Sequence, residues 1–179
     1  MTLTYRFAGE TDVPAVVALI ESAYRGETSR QGWTSEAHLL DGQRTDATAV
    51  LDVVRAAGNV MLVAEATDRL IGCCHLERQA ADLVYFGMFA VQPGQQGRGL
   101  GAQILQEAER LACFDWSAAT MLLTVIAQRP ELIAWYERRG YRRTGETKPF
   151  PYGNERLGLP RRPDLNFVVL AKSLSQRQR

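Results

Sequence analysis

Tyr85-Phe-Gly-Met-Phe-Ala-Val-Gln-Pro-Gly-Gln-Gln-Gly-Arg-Gly-Leu-Gly-Ala-Gln-Ile-Leu105 is the stretch on which the fold turns. An apolar run ends at Val91, a loop with glycines at 94, 97, 99 and 101 follows, and an amphipathic helix then begins. The order is strand, glycine-rich loop, helix N-terminus. The first turn of a helix presents unpaired N–H groups and a partial positive charge. Glycines let that backbone close around an anion, and a phosphate or pyrophosphate suits such a site.

Outward from this stretch, the periodicity predicts alternating elements. Tyr5–Ala8 reads as a first strand. A helix follows with Pro14 in its first turn and Val13, Val16, Val17, Ile20 and Tyr24 on one face. A second helix is expected over Asp46–Ala57. Asn59–Ala66 and Leu70–Arg78 read as strands joined by a tight turn, and Asp82–Val91 completes an antiparallel meander. In the helix after the glycines, Leu100, Ile104, Ala108 and Leu111 form the apolar stripe, while Glu107, Glu109 and Arg110 face water. Thr120–Ile126 is a short apolar strand, and the intervening helix makes it parallel to Asp82–Val91. A further helix starts at Pro130 and stops at Gly140, and Tyr141–Thr147 and Asn166–Lys172 are the last strands. The reading is one α/β domain over residues 1–179 (core about 4–173, then a short basic tail), with no internal repeat or linker.

Composition narrows the function classes. The 179 residues carry 21 basic against 20 acidic side chains, a net charge of +1, so no bulk field points to nucleic acid or a membrane surface. No apolar stretch approaches the ~20 residues of a membrane span, and the N-terminus lacks a signal-peptide layout, so a cytoplasmic location is expected. Cys73, Cys74 and Cys113 are odd in number and read as buried or partly buried free thiols, Cys73 and Cys74 on opposite strand faces. Only His38 and His75 are present, without metal-ligand spacing, so no metal site is expected. Exposed strand edges are compatible with a homodimer.

Three phosphate-binding patterns compete for the glycine loop. Gly97-Arg-Gly-Leu-Gly-Ala102 fits the dinucleotide pattern G-x-G-x-x-A. Five residues, Gln92–Gln96, nevertheless separate the strand from its first glycine, and no acid follows Thr120–Ile126 to hold a ribose. The Gly-Lys-Ser/Thr ending of a P-loop is absent. The third pattern is Gln96-x-x-Gly99-x-Gly101. With the apolar strand, Gln92-Pro93, the following helix and strand, and Glu131-Leu-Ile-Ala-Trp-Tyr-Glu-Arg-Arg-Gly-Tyr141, it resembles the GNAT N-acetyltransferase superfamily over nearly the whole chain.

The resemblance implies a mixed central sheet of about seven strands, its fourth and fifth strands parallel and splayed, flanked by helices. It implies acetyl-CoA as cofactor and direct acetyl transfer to an amine of a small molecule or peptide. The competing reading is a catalytically silent acyl-CoA-binding sensor on the same fold. The cofactor-binding residues implied are Phe89, Val91, Gln96, Gly97, Arg98, Gly99, Leu100 and Gly101, with main-chain groups near Phe89 and Val91 free for the pantetheine arm. Tyr136 is implied as the general acid and Gly87 as the residue of a strand bulge. Two positions depart from the family: Arg129 stands where an asparagine is common, and Leu132 where an alanine is. Arg129 is open to two readings, a phosphate contact or a solvated side chain.

The general base stays open among Glu36, His38, Glu65, His75, Glu77 and Tyr85, with His75 and Glu77 sharing one strand face as a candidate relay. The acceptor side is expected in the irregular segments 25–47 and 148–165, with Trp33 as a wall. Arg44, Arg156, Arg161 and Arg162 are candidates for an acceptor carboxylate or phosphate.

Overall fold

Alternation along the strands sorts the apolar residues to two faces of one sheet, and helices cover both. The computed structural model describes residues 2–25, 29, 30, 32 and 35–175. The strands are β1 (Thr4–Phe7), β2 (Leu40–Asp41), β3 (Asn59–Ala66), β4 (Arg69–Ala80), β5 (Leu83–Val91), β6 (Thr120–Ile126), β7 (Arg142–Pro149), β8 (Leu159–Pro160) and β9 (Asn166–Ser173). Among the described residues, the longer helices are α1 (Val13–Tyr24), α2 (Ala47–Arg55), α3 (Leu100–Arg110) and α4 (Pro130–Glu137). Seven strands form a mixed α/β sheet in the order β1-β3-β4-β5-β6-β9-β7, with β5 and β6 the parallel pair.

Met61, Val63, Cys73 and Ala90 pack on one face under Val16, Ile20 and Ala23 of α1 and Val50 of α2. Leu62, Ala64, Cys74 and Leu76 lie on the other face, with Ile104 and Ala108 of α3 and Ile133 and Tyr136 of α4. Cys73 and Cys74 thus divide between the two cores, as the period of 2 requires. All three cysteines are buried and free. Burial pushes the Cys73 thiol up to about 12, so it behaves as a hydrophobe.

The β3–β4 connection is a two-residue turn, with Thr67 at φ 51° and Asp68 at φ 58°. Positive φ at both positions matches the right-handed twist of the flanking strands. A π-helical turn, Leu111–Asp115, extends α3, closed by Trp116 N–H donating to Leu111 O at 3.1 Å. Glu109 does not face water as the stripe suggested. It accepts from Tyr141 Oη at 3.0 Å and from Lys172 Nζ at 2.6 Å, tying α3 to the last strands.

The two irregular segments meet. β2 pairs antiparallel with β8, and Arg161 N–H donates to Leu39 O at 2.9 Å. The short ladder sets residues 35–47 beside residues 148–165 at the open side of the sheet.

Candidate functional site

β5 and β6 start as neighbours and then part. Their ladder joins Leu83, Val84 and Tyr85 to Thr120, Met121 and Leu122 and goes no further. Beyond it, Gly87–Phe89 of β5 and Leu123–Ile126 of β6 line a cavity of about 540 Å³. The bulge that bends β5 there falls at Met88, not at Gly87. Gly87 pairs regularly with His75, the register slips between Cys73 and His75, and Met88 takes φ 44°. Gly87 serves another need: a Cβ on it would lie 2.7 Å from the Tyr85 ring.

A second cavity, about 510 Å³, opens where β5 runs into the glycine loop. Phe89, Val91, Gln96, Gly97, Gly99 and Gly101 line it, with Leu132, Trp135, Arg138 and Arg139 of α4 and its following turn opposite. Gly99 begins α3 in the left-handed region, at φ 78°, and Gly97 takes φ 79°. Only glycine holds such angles without strain, and here they turn the chain from strand into helix. No side chain caps α3, and the first backbone bonds of the helix run from Ala102 and Gln103 back to Gly99 O. The N–H groups of Leu100 and Gly101 are therefore the helix-start donors. Arg98 is exposed and Leu100 is packed in the core, so neither side chain lines the cavity.

The main-chain carbonyls at Phe89 and Val91 are not free as expected. Tyr24 Oη donates to Phe89 O, and Gln96 Nε2 donates to Val91 O at 3.0 Å. Tyr24, Phe89 and Leu132 line both cavities and form their junction. Burial pushes the Tyr24 hydroxyl up to about 12, so it stays a donor.

Tyr136 lines the cavity between β5 and β6. Its ring packs edge-on against Trp135 and Tyr141, at centroid distances of 4.9 and 5.6 Å. Burial holds its hydroxyl well above the usual tyrosine value of 10.0, with the nearby Tyr24 hydroxyl adding to the shift and Arg129 opposing it. A neutral, proton-bearing phenol therefore faces the cavity at any ordinary pH.

Of the six base candidates, Glu36, Glu77 and Tyr85 line this cavity. His75 and Glu77 do share a face, opposite Gly87 and Tyr85, but the His75 Nε2 turns to Asn59 Oδ1 at 2.6 Å and His75 is not among the lining residues. His38 lines a shallow cleft with Arg161, and Glu65 pairs with Arg6 at 2.6 Å on the exposed edge. Trp33 lies outside the described residues.

Glu36 is the buried centre of an arginine cluster. Its Oε2 accepts from Arg25 Nη1 at 2.7 Å and lies 3.7 Å from Arg44 Nε, while its Oε1 lies 3.6 Å from Arg129 Nη1. Burial alone would raise the carboxyl, but Arg44, Arg25 and Arg129 outweigh it and hold Glu36 below the ordinary carboxylate value. Arg129 is thus neither solvated nor a phosphate ligand. At 1% exposure it is a structural cation between Glu36 and Glu131, whose Oε1 is 3.1 Å away. Arg156, Arg161 and Arg162 are likewise spent on Asp46, Asp41 and Asp164 at 2.8, 3.2 and 2.5 Å. Arg44 alone of the four loop arginines reaches the cavity.

Trp135, Arg138 and Arg139 join the site with no motif of their own in the sequence. They share one α4 face with Glu131 and Leu132, an i, i+3/i+4 stripe beside Tyr136 that marks a cavity wall. Tyr24 had no such signal; its role comes from the sheet that α1 crosses.

Residues 57–143 match the family model described as an acetyltransferase (GNAT) domain. The matched residues, just under half of the chain, are thus similar to a GNAT acetyltransferase domain. Both the glycine loop and Tyr136 fall inside the matched residues, and solved structures share the fold over nearly the whole chain. The protein yncA from Salmonella typhimurium, solved with its cofactor acetyl-CoA, superposes at TM-score 0.69 and 18% identity, covering 100% of this chain and 98% of that one. The ribosomal-protein-S18-alanine N-acetyltransferase from Escherichia coli gives 0.70 at 16% identity, covering 99% and 97%. A spermidine N-acetyltransferase SpeG chimera from Vibrio cholerae and hSSAT gives 0.70 at 16%, covering 98% of each chain. Comparison with curated proteins returned no match. Among the described residues, no helix is long and apolar enough to cross a membrane, and no cluster of His, Cys, Asp and Glu could hold a metal ion.

Proposed function

We propose that the chain is an acetyl-CoA-dependent N-acetyltransferase acting on an amine of a small molecule or peptide. The observation that carries this reading is the pair of cavities joined at Tyr24, Phe89 and Leu132, one at an uncapped helix start and one walled by Tyr136.

The glycine loop suits the cofactor's pyrophosphate. A Cβ built at Gly97 or Gly99 meets nothing within 4 Å, so the loop is open on that side, and positive φ turns successive N–H groups toward an anion. The backbone of Gln96, Gly97, Arg98, Gly99, Leu100 and Gly101 would hold the phosphates, with Arg138 and Arg139 adding positive charge. Phe89 and Val91 would flank the pantetheine arm. Acetyl-CoA supplies an acetyl group on a thioester, whose thiolate of pKa near ~8.5 is a fair leaving group.

The residues then divide the proton work. Tyr136 holds its proton on Oη and delivers it to the departing sulfur as the carbon–sulfur bond breaks. As the amide forms, its nitrogen sheds a proton that restores the Tyr136 phenol; before that, the acceptor's ammonium must lose a first proton for its nitrogen to form the new carbon–nitrogen bond. We assign that proton to Glu77, directly or through water, because Glu36 is held too firmly as an anion by its arginines to be an effective base. Acetyl-CoA and a panel of amines, followed by thiol release and mass spectrometry of the acceptor, test the reading. It expects an acetylated amine formed in step with free CoA.

A further inference from the structure

One guanidinium in the acceptor cavity is held in place by its surroundings yet makes only a long ion pair. Arg44 is the least engaged of the three arginines around Glu36. Arg25 takes the short 2.7 Å bond, and Arg129 is shared with Glu131, whereas Arg44 stands 3.7 Å from the carboxylate. Among the described residues its guanidinium donates no hydrogen bond. It is nevertheless fixed. Its backbone N–H and that of Thr45 donate to Glu21 Oε1 at 2.6 and 2.8 Å, and its Cζ lies 5.4 Å from the centroid of the Tyr24 ring. Three cations thus surround one carboxylate, and of the three only Arg44 lines the cavity, where Lys148 joins it.

Resting on the acetyltransferase reading of this cavity, we infer that the acceptor is an amine that also bears a carboxylate, an amino acid or close analogue. Its carboxylate docks on Arg44 with Lys148, and its amine is directed toward Glu77 and the junction at Tyr24. A planar guanidinium with unspent donors matches a carboxylate in two parallel bonds. Partial burial strengthens that attraction, since Arg44 is only 30% exposed. A polyamine would set a second ammonium against Arg44 and Lys148 instead.

The experiment compares matched acceptors with acetyl-CoA: an amino acid, its carboxamide and its decarboxylated amine, over several side chains. The expected result is a preference for the carboxylate on the order of 100-fold in kcat/KM, the scale of lost hydrogen bonds to a charged group. Arg44→Gln should collapse that preference by raising KM for the acid, and Lys148→Ala should reduce it by less. A thermal shift with acetyl-CoA checks that Arg44→Gln is folded; if it is not, the wild-type comparison and Lys148→Ala decide. Equal rates on acid and amide, or a preference that survives Arg44→Gln, overturn the inference and leave acetyl transfer standing. No turnover of any form overturns the acetyltransferase reading and this inference with it.

Discussion

The two cavities touch at Tyr24, Phe89 and Leu132 but are made of different material. The one at the glycine loop takes one wall from a single stretch, β5 running through a left-handed loop into the first turn of α3, and the other from α4 and its following turn. The other is side chain from distant segments: Glu36 and Arg44 from the stretch between α1 and α2, Glu77 and Tyr85 from β4 and β5, and Lys148 and Pro151 from the end of β7 and the loop after it. Main-chain recognition needs only angles that glycine permits, so it suits a feature shared by every reaction, such as a pyrophosphate. Side-chain recognition is discarded and rebuilt more easily, which suits the part that must differ between acceptors.

Stability should separate the two regions most. Glu36→Gln leaves Arg25 and Arg129 buried with one compensating charge fewer. It should cost about 3–5 kcal/mol in denaturant unfolding. If the loss is small, the cluster is better solvated than its burial implies, and the contrast weakens.

Gly99→Val forces a β-branched residue to φ 78° and should cost about 1–3 kcal/mol. Its larger signature is weaker binding of acetyl-CoA, read by calorimetry. Intact binding in this variant would mean that the loop's geometry is not the cofactor site.

A smaller effect follows from His75. Burial holds its imidazole below the ordinary 6.5, with the Glu77 charge opposing only in part. The unfolded chain therefore takes up a proton as pH falls through about 6.5 while the folded chain does not. Stability is full above that pH and declines below it, until the folded histidine also protonates. His75→Gln should flatten the melting temperature over this window, and an equally steep decline in the variant would assign the effect elsewhere.

Smallest of all, Arg162→Ala should leave the acceptor KM unchanged, because Arg162 is bound to Asp164 on the surface and lines neither cavity. A raised KM would move the acceptor site outward.

The same contrast explains what the sequence shows. β3 and β6 stand where their apolar runs place them, Asn59–Ala66 and Thr120–Ile126, and α4 starts at Pro130 as the sequence suggests. The glycine loop is legible because positive φ and an open approach leave a compositional trace at 97 and 99. Arginines leave none: 44, 129, 156, 161 and 162 look alike in sequence, and only the neighbouring carboxylates distinguish the buried Arg129 from the cavity-lining Arg44. The position of the bulge is hidden in the sequence for a related reason. Glycine marks permitted angles, yet at 87 it makes room for the Tyr85 ring, and the strained φ falls on Met88, opposite the register slip.

The central claim is that these cavities together transfer an acetyl group, with Tyr136 in the wall of the β5–β6 cavity as the acid. The most direct measurement is kcat for acetyl transfer by the wild type and by Tyr136→Phe, with acetyl-CoA affinity measured on both. The account predicts that wild type forms an acetylated amine, and that the variant binds acetyl-CoA equally well but turns over on the order of 10²-fold more slowly or worse. Tight acetyl-CoA binding with no acetylated product, or an unchanged kcat in Tyr136→Phe, would contradict it.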